Sequence, residues 1–124
     1  MKNLKMYING KFVESRSGQW IDVLNPSTEE VCSRQPEGTL EDVEEALDAA
    51  RAAQREWAKV PAVERGEYLK KMAEGIRRRQ TEFVEIIMRE QGKTRSWAEI
   101  EVGATIAYFD YMATFARHIE GEII

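Results

Sequence analysis

The sequence predicts an α+β fold, with short antiparallel β-strands first and a cluster of four α-helices after them. Residues 6–34 alternate apolar and polar positions and contain turn-forming pairs, a pattern typical of short strands. Residues 39–121 instead repeat apolar side chains at helical spacing. Pro36 and Gly38 stand between the two regions. Strands and helices are therefore segregated along the chain, as in α+β proteins.

The strand region contains two turn signals that divide it. Asn9-Gly10 stands between short apolar runs and predicts a two-residue hairpin turn, because both residues accept positive φ. Residues 20–24 alternate and are rich in β-forming side chains, and residues 29–34 resume the strand pattern. Between these two strands, we expect the Asn25 side chain to bond to the backbone two residues further on and to close a tight turn.

The first three helices are predicted from their apolar repeats and from the residues at their ends. Thr39 is predicted to begin the first helix, and with Asp42 three residues later it resembles a capping box. Pro61 marks the start of the second helix, where its fixed φ is favourable. Thr81 is predicted to cap the third helix, and Gly92 is predicted to end it.

The fourth helix, predicted from Ser96 to Gly121, is apolar over most of its circumference. Ser96 and Glu99 predict a second capping box at its start. One apolar face consists of Trp97, Ile100, Ala104, Tyr108, Tyr111 and Phe115, and a second consists of Val102, Ile106, Phe109, Ala113 and Ala116. A helix of this kind must be covered on most sides, so we expect part of its surface to need a partner.

Composition excludes several classes of function. The chain has 124 residues, of which 43% are hydrophobic and 32% charged, as expected for one globular domain. Its net charge of -4 argues against a nucleic-acid partner, which needs a concentrated basic surface. No apolar run approaches the ~18 residues of a membrane span. Cys32 is the single cysteine and cannot form an internal disulfide, which favours a cytoplasmic location.

Few residues are candidates for chemistry. Cys32 lies in a strand pattern and is interpreted as an inert, partly buried side chain. His118, the single histidine, is assigned a structural role at the end of a helix. Glu101 lies between Ile100 and Val102, and its carboxylate needs a partner. It could form an ion pair or a solvated edge, or act as a cation ligand or a helix-cap acceptor. Glycines occur singly, so no phosphate-binding loop is visible.

Four stretches, taken in order, resemble the N-terminal part of the aldehyde dehydrogenase superfamily. They read YINGKFV with WIDVLNPSTEEVCSRQP, TLEDVEEALDAARAAQREWAKVPAVERGEYLKKMAEGIRRR, EQGKTRSWAEIEV, and YFDYMATFARHIEGEII. Each motif alone is weak, but the ordered set covers essentially the whole chain. The resemblance is greatest to the bacterial lactaldehyde and glycolaldehyde dehydrogenase branch of the family.

The resemblance implies that the chain is the leading part of an α/β cofactor-binding domain. On this interpretation residues 1–124 are a single partial domain, with hairpin strands over 1–36, a helical cluster over 39–121 and a truncated bridging strand beginning at 122–124. The complete enzyme would oxidise an aldehyde with NAD or NADP. The family's nucleophilic cysteine, general-base glutamate, oxyanion-hole asparagine and dinucleotide-binding residues have no matching positions here. We therefore assign no catalytic or cofactor-binding residue and expect the chain alone to bind no cofactor.

One further feature implied by the resemblance is an incomplete Na⁺ or K⁺ site. The matching positions are the Val23 and Leu24 carbonyl groups and the Glu101 carboxylate, and hard cations take oxygen ligands of this kind. The expected partners are the remainder of an aldehyde dehydrogenase chain or a second copy in a homo-oligomer, with no nucleic acid or membrane. The alternative is a stand-alone helical interaction or oligomerisation module.

Overall fold

The α+β class predicted from the sequence is confirmed by the computed structural model of the chain, which describes residues 2–118 and residue 121. Within that part, the short strands precede the four α-helices. The strand predicted to begin at residues 122–124 lies outside the described residues. The chain divides into two compact units, and the assignment of a single partial domain stays a prediction.

The first unit consists of Met1–Lys59 and Arg89–Gly92, and the second consists of Val60–Met88 and Lys93–Ile124. The first contains strands β1 (Lys2–Asn3), β2 (Met6–Ile8), β3 (Lys11–Val13), β4 (Trp20–Leu24) and β5 (Val31–Pro36), and helix α1 (Leu40–Trp57). The second contains α2 (Ala62–Arg78), most of α3 (Gln80–Gln91), and α4 (Arg95–Thr114), which continues into a 3-10 turn (Phe115–Arg117). The last turn of α3 belongs to the first unit.

Strands β2 and β3 form the predicted antiparallel hairpin. Its turn residues Asn9 and Gly10 have φ values of 50° and 75°, as a type I′ turn requires. The second sheet has the order β1-β5-β4, in which β4 and β5 are antiparallel. The sequence gives no signal for β1, because this parallel pair with β5 is only two residues long and depends on a distant part of the chain.

The turn between β4 and β5 forms as predicted but takes up more of the chain. The Asn25 side-chain Oδ1 accepts a hydrogen bond from the Ser27 backbone N–H at 2.9 Å. Glu29 belongs to this turn, because its φ is 60° and its N–H donates to the Asn25 carbonyl at 2.8 Å. Strand β5 therefore begins at Val31, two residues later than predicted, and continues to Pro36.

Three of the predicted helix ends are confirmed. Pro61, which is predicted to mark the start of the second helix, is the N-cap of α2. Thr39 and Asp42 form the capping box of α1, and Gly92 follows α3 with a φ of 65°. Thr81 is not a cap, because α3 already begins at Gln80.

The predicted ends of α4 are wrong at both termini. The N-cap is Thr94 and makes no side-chain capping bond, and the Ser96 hydroxyl lies 3.3 Å from the Thr94 hydroxyl. The α-helix ends at Thr114, whose Oγ1 donates to the Tyr111 carbonyl at 2.7 Å, and not near Gly121. The backbone then tightens into the 3-10 turn and leaves helical geometry at His118.

The core of the second unit is built on one of the two apolar faces predicted for α4. Its buried members are Ala73, Val84, Ala98, Val102 and Ile106, and Ile76, Phe83, Ile87, Met88 and Phe109 pack around them. Helix α2 packs along α4, and Gly66 of α2 comes close to Ala113.

The other predicted face of α4 is exposed. It comprises Trp97, Ile100, Ala104, Tyr108, Tyr111 and Phe115. Within the described part of the chain, no helix is long and apolar enough to cross a membrane.

Candidate functional site

The most extensive polar cluster of the first unit lies at the start of α1. The buried Asp42 carboxylate accepts hydrogen bonds from the Thr39 N–H at 2.9 Å, the Ser15 hydroxyl at 2.8 Å and the Arg16 N–H at 3.2 Å. The Arg16 Nε also lies 3.2 Å from the other Asp42 oxygen. The hydrogen bond from Thr39, assisted by those from Ser15 and Arg16, lowers the pKa of Asp42 from 3.8 to about 2.

Sequence reasoning identified only the local half of this cluster. The capping box joins residues three apart, so its pattern is visible in the sequence. Ser15 and Arg16 contact Asp42 across 27 and 26 positions of the chain. No periodicity relates residues at that separation, and strands β4 and β5 lie between Arg16 and α1, so the sequence carries no signal for these contacts.

The start of α1 does not fit the phosphate groups of a dinucleotide. A phosphate site of this kind needs free N–H groups at a helix N-terminus. Here the Thr39 hydroxyl accepts from the Asp42 N–H at 3.2 Å, and the Asp42 carboxylate accepts from the Thr39 N–H. Glu41 adds a second carboxylate in the same turn, which repels an anion. Gly38 is a single glycine before the helix, so this strand-to-helix connection provides no phosphate-binding loop.

The Asp42 cluster predicts a specific dependence of stability on pH. The folded-state pKa of Asp42 is lowered, so its stabilising effect is complete above pH 4 and is lost as the pH falls from about 4 towards 2. We expect Asp42→Asn to unfold at a lower urea concentration at pH 7 and to lose less stability than the parent chain over that acid range. Urea titrations followed by circular dichroism at several pH values measure both effects.

Asp48→Asn is the matched control for this prediction. Asp48 lies on the same helix, but its side chain is 76% exposed and pairs with the exposed Arg51 at 3.3 Å. We expect this variant to follow the pH profile of the parent chain. Parallel profiles for Asp42→Asn and the parent chain would show that Asp42 does not cause the acid sensitivity.

The side chains of Cys32 and His118 both lie beside backbone carbonyl groups, which fits the structural roles predicted for them. Cys32 is partly buried on β5, and its thiol donates to the Val23 carbonyl at 3.1 Å. His118 Nδ1 lies 3.1 Å from the Thr114 carbonyl, at the end of α4. Cys32 belongs to the first unit and His118 to the second. In the described part of the chain, no group of three His, Cys, Asp or Glu side chains could hold a metal ion.

The predicted cation ligands fall in different units of the chain. Val23 and Leu24 lie on β4 in the first unit, at a register shift where the β4–β5 pairing is irregular. Glu101 lies on α4 in the second unit, and its carboxylate forms an ion pair with Lys93. Lys93 is therefore the partner of the Glu101 carboxylate in this structure. The set of cation ligands stays a prediction.

Two of the motifs that carry the family resemblance meet within the first unit. The turn after β4 contains Pro26 and Ser27, and Gly92 ends α3. A Cβ atom at Gly92 would lie 2.7 Å from the Ser27 Oγ and 2.8 Å from the Pro26 Cγ. The Asn-Pro-Ser-Thr turn and Gly92 therefore pack closely together, although Ser27 and Gly92 are 65 positions apart in the sequence.

Comparison with known proteins identifies the family to which this fold belongs. The model of the aldehyde dehydrogenase family matches residues 12–124. The chain belongs to the aldehyde dehydrogenase family. It is 52% identical over 119 residues to lactaldehyde dehydrogenase from Escherichia coli (strain K12), covering 96% of this chain and 25% of that protein. It is 37% identical over 120 residues to D-glyceraldehyde dehydrogenase (NADP(+)) from Thermoplasma acidophilum, covering 97% of this chain and 24% of that protein.

The fold agrees with that of a solved member of the family. The crystal structure of lactaldehyde dehydrogenase from Escherichia coli superposes with a TM-score of 0.94 at 51% sequence identity, covering 99% of this chain and 26% of that chain. The resemblance found in the sequence, including the lactaldehyde dehydrogenase branch, is confirmed. The chain spans about a quarter of the length of the relatives that it matches.

Proposed function

We propose that the chain serves as the N-terminal structural segment of an NAD- or NADP-dependent enzyme that oxidises an aldehyde to a carboxylic acid, and that it is inactive alone. The observation that carries this proposal is the family match over residues 12–124 together with a span of one quarter of lactaldehyde dehydrogenase. The proposal includes NADP as well as NAD because one relative, D-glyceraldehyde dehydrogenase, is named for NADP(+).

The side chains of the first unit support a scaffold role. The Cys32 thiol donates a hydrogen bond to the Val23 carbonyl, and the single histidine of the sequence, His118, belongs to the other unit and not to this one. The helix start at Thr39 is closed by Asp42 and does not admit a phosphate. On this proposal the chain contributes a hairpin, a sheet and an apolar helical core, and these support the catalytic and cofactor-binding residues of the complete enzyme.

A chimera tests the proposal directly. Residues 1–124 replace the matching segment of Escherichia coli lactaldehyde dehydrogenase, and lactaldehyde oxidation is followed with NAD⁺ or NADP⁺. We expect activity within about tenfold of the unmodified relative, because a tenfold change corresponds to about 1.4 kcal/mol and the segment supplies no reacting group. A folded, soluble chimera with no measurable oxidation would contradict the proposal.

The chimera carrying Cys32→Ser is the matched variant. It removes the single thiol that this chain brings while leaving the rest of the segment unchanged. We expect equal kcat and KM values for the two chimeras. A large loss of kcat in the serine variant would give Cys32 a role in the reaction and would overturn the scaffold assignment.

The second candidate function, a stand-alone interaction or oligomerisation module, is favoured by a different observation. Large apolar side chains are exposed on α1 as well as on α4, including Leu40 at 69% and Leu47 at 51%. A module of this kind would cover these side chains in a defined oligomer. Sedimentation at several concentrations separates the two functions, because the module predicts one stoichiometry and a segment of an enzyme predicts weak or indefinite association.

The compartment and the assembly of the complete enzyme are proposed from its membership of the aldehyde dehydrogenase family. We propose that it is cytoplasmic and that it forms a homo-oligomer. Size-exclusion chromatography of the active chimera, compared with the unmodified relative, tests the proposed assembly.

A further inference from the structure

The asparagines of the chain differ in how freely the next backbone nitrogen can react with them. The amide carbon of an asparagine side chain can be attacked by the backbone nitrogen of the following residue, which closes a five-membered imide ring. The reaction needs a nitrogen that can lose its proton and space for the ring to form. The asparagines and the residues that follow them are Asn3-Leu4, Asn9-Gly10 and Asn25-Pro26.

The structure protects two of these three side chains. Asn3 is exposed, but the N–H of Leu4 donates to the Arg34 carbonyl at 2.8 Å, so the nitrogen next to Asn3 is held in a sheet hydrogen bond. Pro26 has no N–H to lose. The Asn25 Oδ1 is in addition fixed by a hydrogen bond from a backbone N–H at 2.9 Å. Exposure alone therefore does not decide which asparagine is reactive.

Asn9 meets both requirements. Asn9 and Gly10 are exposed at the tip of the β2–β3 hairpin. The last paired residues before the turn are Ile8 and Lys11, so the Gly10 N–H lies outside the strand pairing. Glycine has no side chain to obstruct the ring. A Cβ built on Gly10 would meet no atom within 4 Å, so the space beside it is open.

We propose that Asn9 is a site of spontaneous deamidation, with water as the second reactant. The Gly10 nitrogen loses its proton and bonds to the Asn9 Cγ, and the Cγ–Nδ2 bond breaks with release of ammonia. Water then opens the imide at either of its carbonyl groups, which leaves aspartate or isoaspartate in place of the asparagine. Both products add a negative charge to the turn, and isoaspartate also lengthens its main chain by one carbon, which a two-residue turn accommodates only by moving.

Peptide mapping of the folded chain tests this site and is independent of the function proposed above. The purified chain is incubated at mildly alkaline pH, and samples taken at intervals are digested with trypsin and analysed by mass spectrometry. Cleavage after Lys5, Lys11 and Arg16 puts the three asparagines in separate peptides. We expect the peptide that contains Asn9 to gain the mass of one deamidation with time, while the other two keep their mass. An unchanged Asn9 peptide would overturn the proposal.

The nature of the product tests the role of Gly10. Opening of an imide gives both aspartate and isoaspartate, whereas direct hydrolysis of the side chain gives aspartate alone. We expect both products at Asn9, distinguished by electron-transfer fragmentation, and aspartate alone would overturn the attack by the Gly10 nitrogen. The matched variant is Asn9→Gln, in which the ring would be one atom larger. We expect its peptide to keep its mass, and deamidation as fast as in the parent chain would overturn the proposed ring.

Discussion

The Gly92→Ala variant is expected to lose about 2–4 kcal/mol of unfolding free energy. Part of this loss is backbone strain, because Gly92 has a φ of 65° and a left-handed conformation costs other residues about 1–2 kcal/mol. The rest is steric, since the new Cβ would stand 2.7 Å from the Ser27 Oγ and 2.8 Å from the rigid Pro26 ring. Urea unfolding followed by circular dichroism measures the change.

Gly18→Ala separates the two contributions. Gly18 has nearly the same φ, 63°, but a Cβ placed there meets no atom within 4 Å. We expect this variant to lose only the backbone strain of about 1–2 kcal/mol. If both variants lose the same free energy, the close approach of the two turns contributes nothing to the stability of the first unit.

The Gly66→Ala variant is expected to destabilise the second unit by about 1–3 kcal/mol, although alanine is the better helix former. A Cβ on Gly66 would lie 2.9 Å from the Ala116 Cβ and 3.1 Å from the Ala113 carbonyl oxygen. Neither atom can rotate away, so α2 and the end of α4 must separate, and overpacking of this kind costs about 1–3 kcal/mol. Thermal unfolding and urea titration both report the loss.

Gly75→Ala gives the opposite sign on the same helix. A Cβ on Gly75 has no neighbour within 4 Å. The substitution should therefore stabilise α2 by about 0.5–1 kcal/mol, the usual gain when alanine replaces glycine inside a helix. Two variants of the same type on one helix with opposite signs would identify Gly66 as the point of close helix contact, and two gains would contradict it.

The parts of the fold that the sequence predicts correctly are those fixed by local chemistry. Asn9 and Gly10 specify a turn because both tolerate positive φ, and Thr39 and Asp42 satisfy the first N–H groups of α1 by themselves. Gly92 ends α3 for the same kind of reason. In each case the residues that determine the structure are within three positions of one another.

The parts that the sequence misses depend on residues far apart. Strand β1 forms only because β5 is available beside it, and the Ser15 hydroxyl reaches Asp42 across 27 positions. The sequence predicts the start of α4 at Ser96 from a capping-box pattern with Glu99. The structure instead begins α4 after Thr94, which has Trp97 three residues on and makes no side-chain capping bond. Local patterns give several acceptable helix ends, and tertiary packing selects among them.

The candidate site shows the same division. Partial burial of Cys32 on a strand and placement of His118 at a helix end follow from local pattern and are found. The partner of Glu101 could not be chosen from sequence, because both an ion pair and a cation ligand satisfy a carboxylate on an apolar helix. Lys93, eight positions earlier, supplies the ion pair.

The most direct test of the account is NADH or NADPH formation by the purified 124-residue chain. The chain is incubated with NAD⁺ or NADP⁺ and with lactaldehyde or glycolaldehyde, and the fluorescence of the reduced dinucleotide is recorded beside a protein-free blank. A structural segment without a reacting group predicts a rate equal to the blank at every chain concentration, while the chimera is active under the same conditions. A rate that rises in proportion to the concentration of the pure chain would contradict the account.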